Sequence, residues 1–191
     1  PADFCTLGCQ QVVDFILCEL KVEVMRVMSM RYFFFIASAL FVILVGCEPK
    51  EKKEEDLAIR SHANLTEGLA FLERNASRPD VATTASGLQY RIIKVGDGSI
   101  PSDDSTVEVH YVGRFLDGRE FDSSIKRGIP AQFGVKQVIT GWTEALKMMP
   151  EGSKWELFIP ANLAYGSVGQ GPIGPNATIV FEVELLNANI H

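Results

Sequence analysis

HYVGRFLDGREFDSSIKRGIPAQFGVKQVITGW, residues 110–142, sets aromatic and branched apolar residues around Asp122, between Gly- and Asp-containing turns. It holds no Cys, no clustered His and no phosphate-cradling glycine loop. Such parts suit a site that works by enclosing an apolar ligand rather than by nucleophile or metal chemistry. A second segment, LAYGSVGQGPIGPNATIVFEVELL at residues 163–186, narrows the reading further. Its run from Gly169 to Gly174 formally fits GxGxxG. It contains Pro172, follows no buried strand and opens no helix, so a dinucleotide fingerprint is rejected.

Around these segments the pattern is that of strands. Residues 88–94 are short and apolar-rich, and the turn Gly96-Asp97-Gly98 follows. Residues 106–116 alternate, with Val107, Val109 and Tyr111 on one face, and Asp117-Gly118 signals a hairpin. Residues 154–160 place Trp155, Leu157 and Ile159 on one face. Residues 178–186 turn Ile179, Phe181, Val183 and Leu185 inward, with Glu182 and Glu184 outward. One helix, residues 142–149, interrupts the strands and is stopped by Pro150-Glu151-Gly152. The economical architecture is α+β: an antiparallel sheet wrapped around one short helix. A short N-terminal helix, residues 57–77, precedes it. Its stripe of Ala58, Leu65, Leu69 and Leu72 must be buried against the domain or against a second copy, because an isolated helix of this length is marginal.

The whole chain has 191 residues and a formal net charge of −6, which argues against nucleic acid as a partner. His62, His110 and His191 are scattered, so neither a metal site nor a triad is expected, and no cofactor is implied. The N-terminal region departs from the average. Residues 32–47, YFFFIASALFVILVGC, carry no charge and follow Met30-Arg31. The run is short against the roughly 20 apolar residues of a membrane-spanning helix. A positive start with an apolar core fits a secretory signal. Its end, Leu44-Val45-Gly46-Cys47, resembles the bacterial lipobox, in which the Cys thiol takes a diacylglyceryl group and becomes the new N-terminus. An uncleaved anchor helix is the alternative. The expected organisation is therefore an upstream extension at 1–29, with Met28 or Met30 as the translation start, and a lipoprotein signal at 30–46. A charged tether at 47–56, a helical lead-in at 57–82 and the main domain at 83–191 follow. Cys5 and Cys9 are a poor metal signal without further ligands. Glu48 after Cys47, by analogy with a lipoprotein sorting rule, favours the outer membrane, and the expected location is the bacterial cell envelope.

From Ser86 to Asn187 the chain resembles an FKBP-type peptidyl-prolyl cis-trans isomerase. The matching pieces are HYVG, LDGREFDSS, VITGW, LAYG and ATIVFEVELL, in order and at fitting spacing. The longer pieces SGLQY, FDSSIKRGIPAQF and GWTEALKMMPEGSKWELFIPANLAYG resemble the bacterial macrophage infectivity potentiator branch, whose members are exported and often dimeric. The resemblance implies a hydrophobic pocket between sheet and helix. Tyr111, Phe121, Asp122 and Tyr165 are its candidate catalytic residues. Phe133, Val138, Ile139, Trp142, Ile173 and Phe181 are its candidate substrate-binding residues, with Trp142 as the floor. Ala131 stands where eukaryotic members often have an aromatic, which implies an open wall and weaker binding of large macrolides. The implied partners are proline-containing polypeptides, macrolide inhibitors, a membrane reached through lipidated Cys47, and a second copy in a homodimer. Two functions follow from one pocket: an isomerase that assists folding of exported proteins, or a proline-segment binding module or chaperone with little turnover.

Overall fold

The computed structural model describes residues 50–190. The upstream extension, the lipoprotein signal, Cys47 and His191 lie outside the described residues. The first element, α1, runs Lys50–Ala76. It starts earlier than the lead-in predicted from residue 57, and the charged stretch from Lys50 to Asp56 is helical where a tether was expected. Lys and Glu are strong helix formers, so a run of them in front of an established helix extends it. Backbone bonds from Ser77 to Arg74 and from Arg78 to Asn75 close the last turn before Pro79.

The stripe on α1 is not where its periodicity places it. Leu65 and Leu69 stay exposed, at 41% and 60%. The helix docks instead through Ser61, Asn64, Gly68, Phe71 and Asn75, which recur every three or four residues. Gly68 is required: a Cβ there would collide with Thr178 Oγ1. Asn75 is buried and donates to Gln89 Oε1 at 2.9 Å, while Gln89 Nε2 donates to the Leu72 carbonyl at 2.9 Å. Close approach and polar latches thus outweigh the leucine stripe, because a side chain can bury only what faces its partner surface.

The sheet is antiparallel throughout. Its strands are β1 Ala82–Thr83, β2 Gln89–Lys94, β3 Thr106–Phe115, β4 Glu120–Ser123, β5 Ala131–Gly134, β6 Lys154–Ile159 and β7 Ile179–Asn187. They lie in the order β1-β2-β6-β7-β3-β4, with β5 also on β3. The short β4 and β5 are absent from the alternation pattern, since four residues are too few to show a period. They share one edge of β3: β4 pairs with Val112 to Arg114, and β5 pairs with Thr106 to Val109. A single helical turn, α2 Ser124–Arg127, carries the chain across the gap and ends at Gly128 in the left-handed region (φ 76°).

The helix α3, Thr140–Leu146, lies against the inner face of the sheet, two residues earlier than predicted. Trp142, Ala145, Leu146 and the following Met149 are buried with Val107, Val109, Trp155, Leu157, Ile159, Ile179, Val183 and Leu185, so the predicted inward faces form one core. Phe158 points to the opposite face of β6. There Phe71 of α1 covers it at 5.8 Å between ring centroids, and the Arg78 guanidinium lies 5.9 Å over its ring.

Gly113 sits at a bulge in the β3–β4 ladder. A Cβ there would lie 2.7 Å from ring atoms of both Phe121 and Phe181. Both rings belong to the inner face, so Gly113→Ala is expected to lower unfolding free energy by about 1–3 kcal/mol through overpacking. Denaturant titration measures this. A change below about 0.5 kcal/mol, typical of an indifferent surface site, contradicts the packing account.

Candidate active site

The shared edge of β3 builds the site. At Tyr111 the ladder passes from β5 to β4, and the Tyr111 N–H is left facing the gap. Ser124, buried at the start of α2, fills it: its Oγ accepts from Tyr111 N–H at 2.8 Å and pairs with His110 Nδ1 at 3.0 Å. A buried backbone donor is thereby satisfied without a strand partner. The consequence is positional. β4 ends where Asp122 faces Tyr111, and the turn of α2 brings Arg127 back over both.

The Tyr111 hydroxyl donates to Asp122 Oδ2 at 2.5 Å. Arg127 reaches Asp122 Oδ1 through Nη1 and the Tyr111 oxygen through Nη2 at 2.8 Å, with its guanidinium 5.4 Å over the Tyr111 ring. Burial pushes the Asp122 carboxyl up, but the Tyr111 hydroxyl and the Arg127 guanidinium outweigh it and hold the group below its ordinary value. Burial first, then the hydrogen bond to Asp122, raises the Tyr111 hydroxyl. Tyr165 is raised by burial and by the nearby Asp122 charge. At neutral pH the site therefore holds an ionised Asp122 beside two neutral tyrosines. Arg127 had not been singled out in the sequence. Its signal was a cation five residues after an acidic residue, on a turn too short to show helical period.

The aromatic residues form a box. Trp142 is the floor, at 4% exposure, fixed by the start of α3, where the Ile139 carbonyl accepts from the Trp142 N–H at 2.9 Å. Three rings stand on edge around it: Tyr111 at 5.4 Å and 85°, Phe133 at 5.9 Å and 87°, and Phe181 at 5.2 Å and 85°. Edge-to-face packing is favourable for each pair. It also leaves the open face of the box apolar. Phe121 packs edge-on against Phe181 at 5.5 Å and joins the box to the Asp122 side.

All ten candidate residues line this one cavity of about 700 Å³: Tyr111, Phe121, Asp122, Phe133, Val138, Ile139, Trp142, Tyr165, Ile173 and Phe181. Gln137 and the loop residues Gln170, Gly171 and Pro172 also line it, although none carries a sequence signal that marks it as a pocket residue. Ala131 does not line it; it is half-buried on β5. Its alternation with Phe133 along the strand would place both on one face, but only the larger ring reaches the cavity.

With this geometry in hand, comparison with known proteins is direct. Residues 98–186 match the model of the FKBP-type peptidyl-prolyl cis-trans isomerase family. Residues 37–92 match that of the domain amino-terminal to FKBP-type peptidyl-prolyl isomerase. The chain is 50% identical over 138 residues to the outer membrane protein MIP of Legionella longbeachae, covering 71% of this chain and 59% of that protein. It is 55% identical over 128 residues to the FKBP-type 22 kDa peptidyl-prolyl cis-trans isomerase of Escherichia coli K12, covering 66% and 62%. Among solved structures, FkpA from Escherichia coli matches with a TM-score of 0.71 at 34% identity, covering 91% of this chain and 80% of that one. The fold and the site thus define a sheet-and-helix protein with an aromatic-lined pocket, and the chain belongs to the FKBP-type peptidyl-prolyl cis-trans isomerase family. It spans about 60% of the length of these two curated relatives.

The Asp122 carboxyl is lowered in the folded protein, so its contribution to site integrity is present above the ordinary carboxylate value. It is lost as pH falls through the lowered one. Tyr111 and Tyr165 are raised above the ordinary phenol value and stay neutral well past neutrality. Ligand binding is therefore expected to be flat from roughly pH 5 to pH 9 and to weaken only in stronger acid. Peptide binding read by Trp142 fluorescence checks this; a midpoint near neutrality contradicts the assignment of charges.

Proposed function

We propose that the protein is a peptidyl-prolyl cis-trans isomerase that assists folding of exported proteins from a lipid anchor at Cys47. The observation that carries the catalytic reading is the box of rings on edge around Trp142, open beside the ionised Asp122. Rotation about a peptide bond faces a barrier of about 18–20 kcal/mol from C–N double-bond character. The Xaa-Pro bond is the one that populates both isomers, and it exchanges in roughly tens to hundreds of seconds. In the twisted transition state the amide has lost resonance and carries less separated charge than the planar ground state. An apolar, water-poor pocket therefore disfavours the planar form more than the twisted one. The proline ring would rest on Trp142 between Tyr111, Phe133 and Phe181, with Val138 and Ile139 beside it.

Polar groups then orient the chain. The Ile139 N–H and the Tyr165 hydroxyl are the candidates for holding substrate carbonyls. Asp122 acts through position and charge: it fixes Tyr111 and Arg127 and faces the twisted carbonyl. No bond is made or broken, so no proton is transferred and no general base is needed. Proline-containing polypeptides are the substrate class, and a macrolide directed at this family is a competitor for the same box.

The cell-envelope location rests on the lipobox-like end at Cys47 and on the names of the relatives. Cys47→Ser is expected to move the protein from the membrane fraction to the soluble fraction; unchanged fractionation overturns the anchor. The exposed Leu65 and Leu69 on α1 support a homodimer through that face, and sedimentation at increasing concentration tests it, a constant monomer being the contrary result.

The decisive experiment follows cis-to-trans relaxation of Xaa-Pro-Phe peptides with the purified protein. Acceleration suppressed by a macrolide supports the isomerase and its pocket together. Asp122→Leu and Tyr165→Phe should each reduce turnover about ten- to a hundredfold, from the loss of hydrogen bonds or charge at the reacting amide, while peptide binding weakens much less. Folded protein that binds peptide without accelerating exchange points to the binding-module reading.

A further inference from the structure

One wall of the pocket is built by a loop outside the sheet. Gln170, Gly171, Pro172 and Ile173 belong to the loop between Tyr165 and Thr178, in which Gly166, Gly169 and Gly171 adopt left-handed φ values of 62°, 74° and 56°. Its tip is closed by a reciprocal pair of backbone bonds between Gln170 and Ile173, each at 2.9 Å, and its base by Gly169 N–H donating to the Tyr165 carbonyl at 3.2 Å and Asn176 N–H donating to the Gly166 carbonyl at 2.8 Å. Gln170, Gly171 and Pro172 are exposed, and Ile173 is the buried residue that turns into the cavity. Of residues 166–174 only Ile173 is buried, and a segment with so few buried side chains sits at the low-stability end of a fold.

The loop is nevertheless pinned from outside the domain sheet. Asn64 Nδ2 of α1 donates to the Pro175 carbonyl at 2.8 Å. Asn176 Nδ2 donates to Ser61 Oγ of α1 at 2.8 Å. Ser61 and Asn64 are one helical turn apart on the docking face of α1, and each bond spans more than a hundred residues of sequence. Asn176, at φ 54°, is the only described non-glycine residue with a left-handed backbone, and its side chain is tied to the helix in that conformation. Both anchors fall two or three residues after Ile173. On the outer side of the loop, a small cavity lined by Leu57, Arg60 and residues 168–175 leaves room for the loop to shift toward α1.

From this we propose that Ser61 and Asn64 are positioning residues for the substrate pocket: through Pro175 and Asn176 they hold the Ile173 wall closed against the bound segment. The lead-in helix is then part of the binding apparatus as well as a connection to whatever precedes it. This rests on the isomerase reading above. The geometry divides the site in two. The Tyr111–Asp122–Arg127 side hangs on β3 and α2, while the Ile173 side hangs on α1, so loosening α1 should touch substrate binding and leave the turnover step in place.

The test compares the wild-type protein with the double variant Ser61→Ala/Asn64→Ala and with Thr66→Ala. Thr66 bonds only to the helix's own His62 carbonyl, so its variant controls for a general loosening of α1. Loss of two such hydrogen bonds lowers the closed population of the loop, and apparent affinity falls with it. The double variant should raise KM for an Xaa-Pro peptide roughly two- to tenfold, with kcat within about twofold. Amide exchange should quicken at residues 169–176, and Thr66→Ala should resemble wild type. Ser61→Thr alone, which keeps the accepting oxygen, should keep the wild-type KM. Unchanged KM together with unchanged exchange in the loop overturns the proposal, as does an equal rise in KM for Thr66→Ala. If wild-type protein shows no isomerase activity, the functional reading fails, and the exchange experiment still decides the anchoring. If the double variant does not fold, Ser61→Ala alone is judged by the same readouts.

Discussion

Two short strands compete for one edge of β3, and most of the site follows from how that competition is settled. β5 takes the first half of the edge and β4 the second, leaving the Tyr111 N–H between them. A buried, unpaired amide is costly, and Ser124 Oγ removes that cost. Once Ser124 is fixed there, the chain on either side has little freedom. Asp122 lies two residues before it and meets Tyr111, Arg127 lies three after it and closes over both, and β5 then delivers Phe133 to the other side of the Tyr111 ring. A single hydroxyl thus couples the polar corner of the pocket to its aromatic wall.

The pocket floor answers to a second constraint. Trp142 lies in the first turn of a helix of only two turns, which could not stand alone and is held against the inner face of the sheet by Ala145, Leu146 and Met149. Because the helix is short, its first turn and the preceding residues Val138 and Ile139 stay open to the cavity. Perpendicular packing of three rings on Trp142 satisfies aromatic electrostatics while leaving a flat apolar face uncovered. Shape and desolvation, rather than any acid or base, are what such a site can offer a substrate. The opposed influences on Asp122 fit this: burial pushes it up, and Tyr111 and Arg127 together outweigh burial and hold it charged.

The lead-in helix shows how a plausible pattern can mislead. Periodicity finds a leucine stripe on α1, and the structure turns a different face inward. Gly68 lets the backbone approach Thr178, Asn64 and Asn75 carry the latches, and Phe71 caps Phe158. Such a face has low hydrophobicity and so gives a weak signal, although it matches the surface it meets. The same helix reaches the loop that walls the pocket, and its two anchors lie two and three residues from Ile173.

Much was legible from residues alone because it depends on local period and on residue type. Alternation along β3, β6 and β7 defined their buried faces, the Asp117-Gly118 turn placed the hairpin, and ordered motifs brought ten cavity residues to attention. What sequence could not reveal depends on contacts between distant segments. β4 and β5 are too short to carry a period and exist because β3 offers them an edge. Arg127 matters because α2 folds back. The docking face of α1 was decided by the surface of β6 and the loop before β7, against the helix's own hydrophobic pattern. Period and composition are properties of a segment, whereas the choice of which face is covered belongs to the pair of surfaces that meet, and only the tertiary structure brings that pair together.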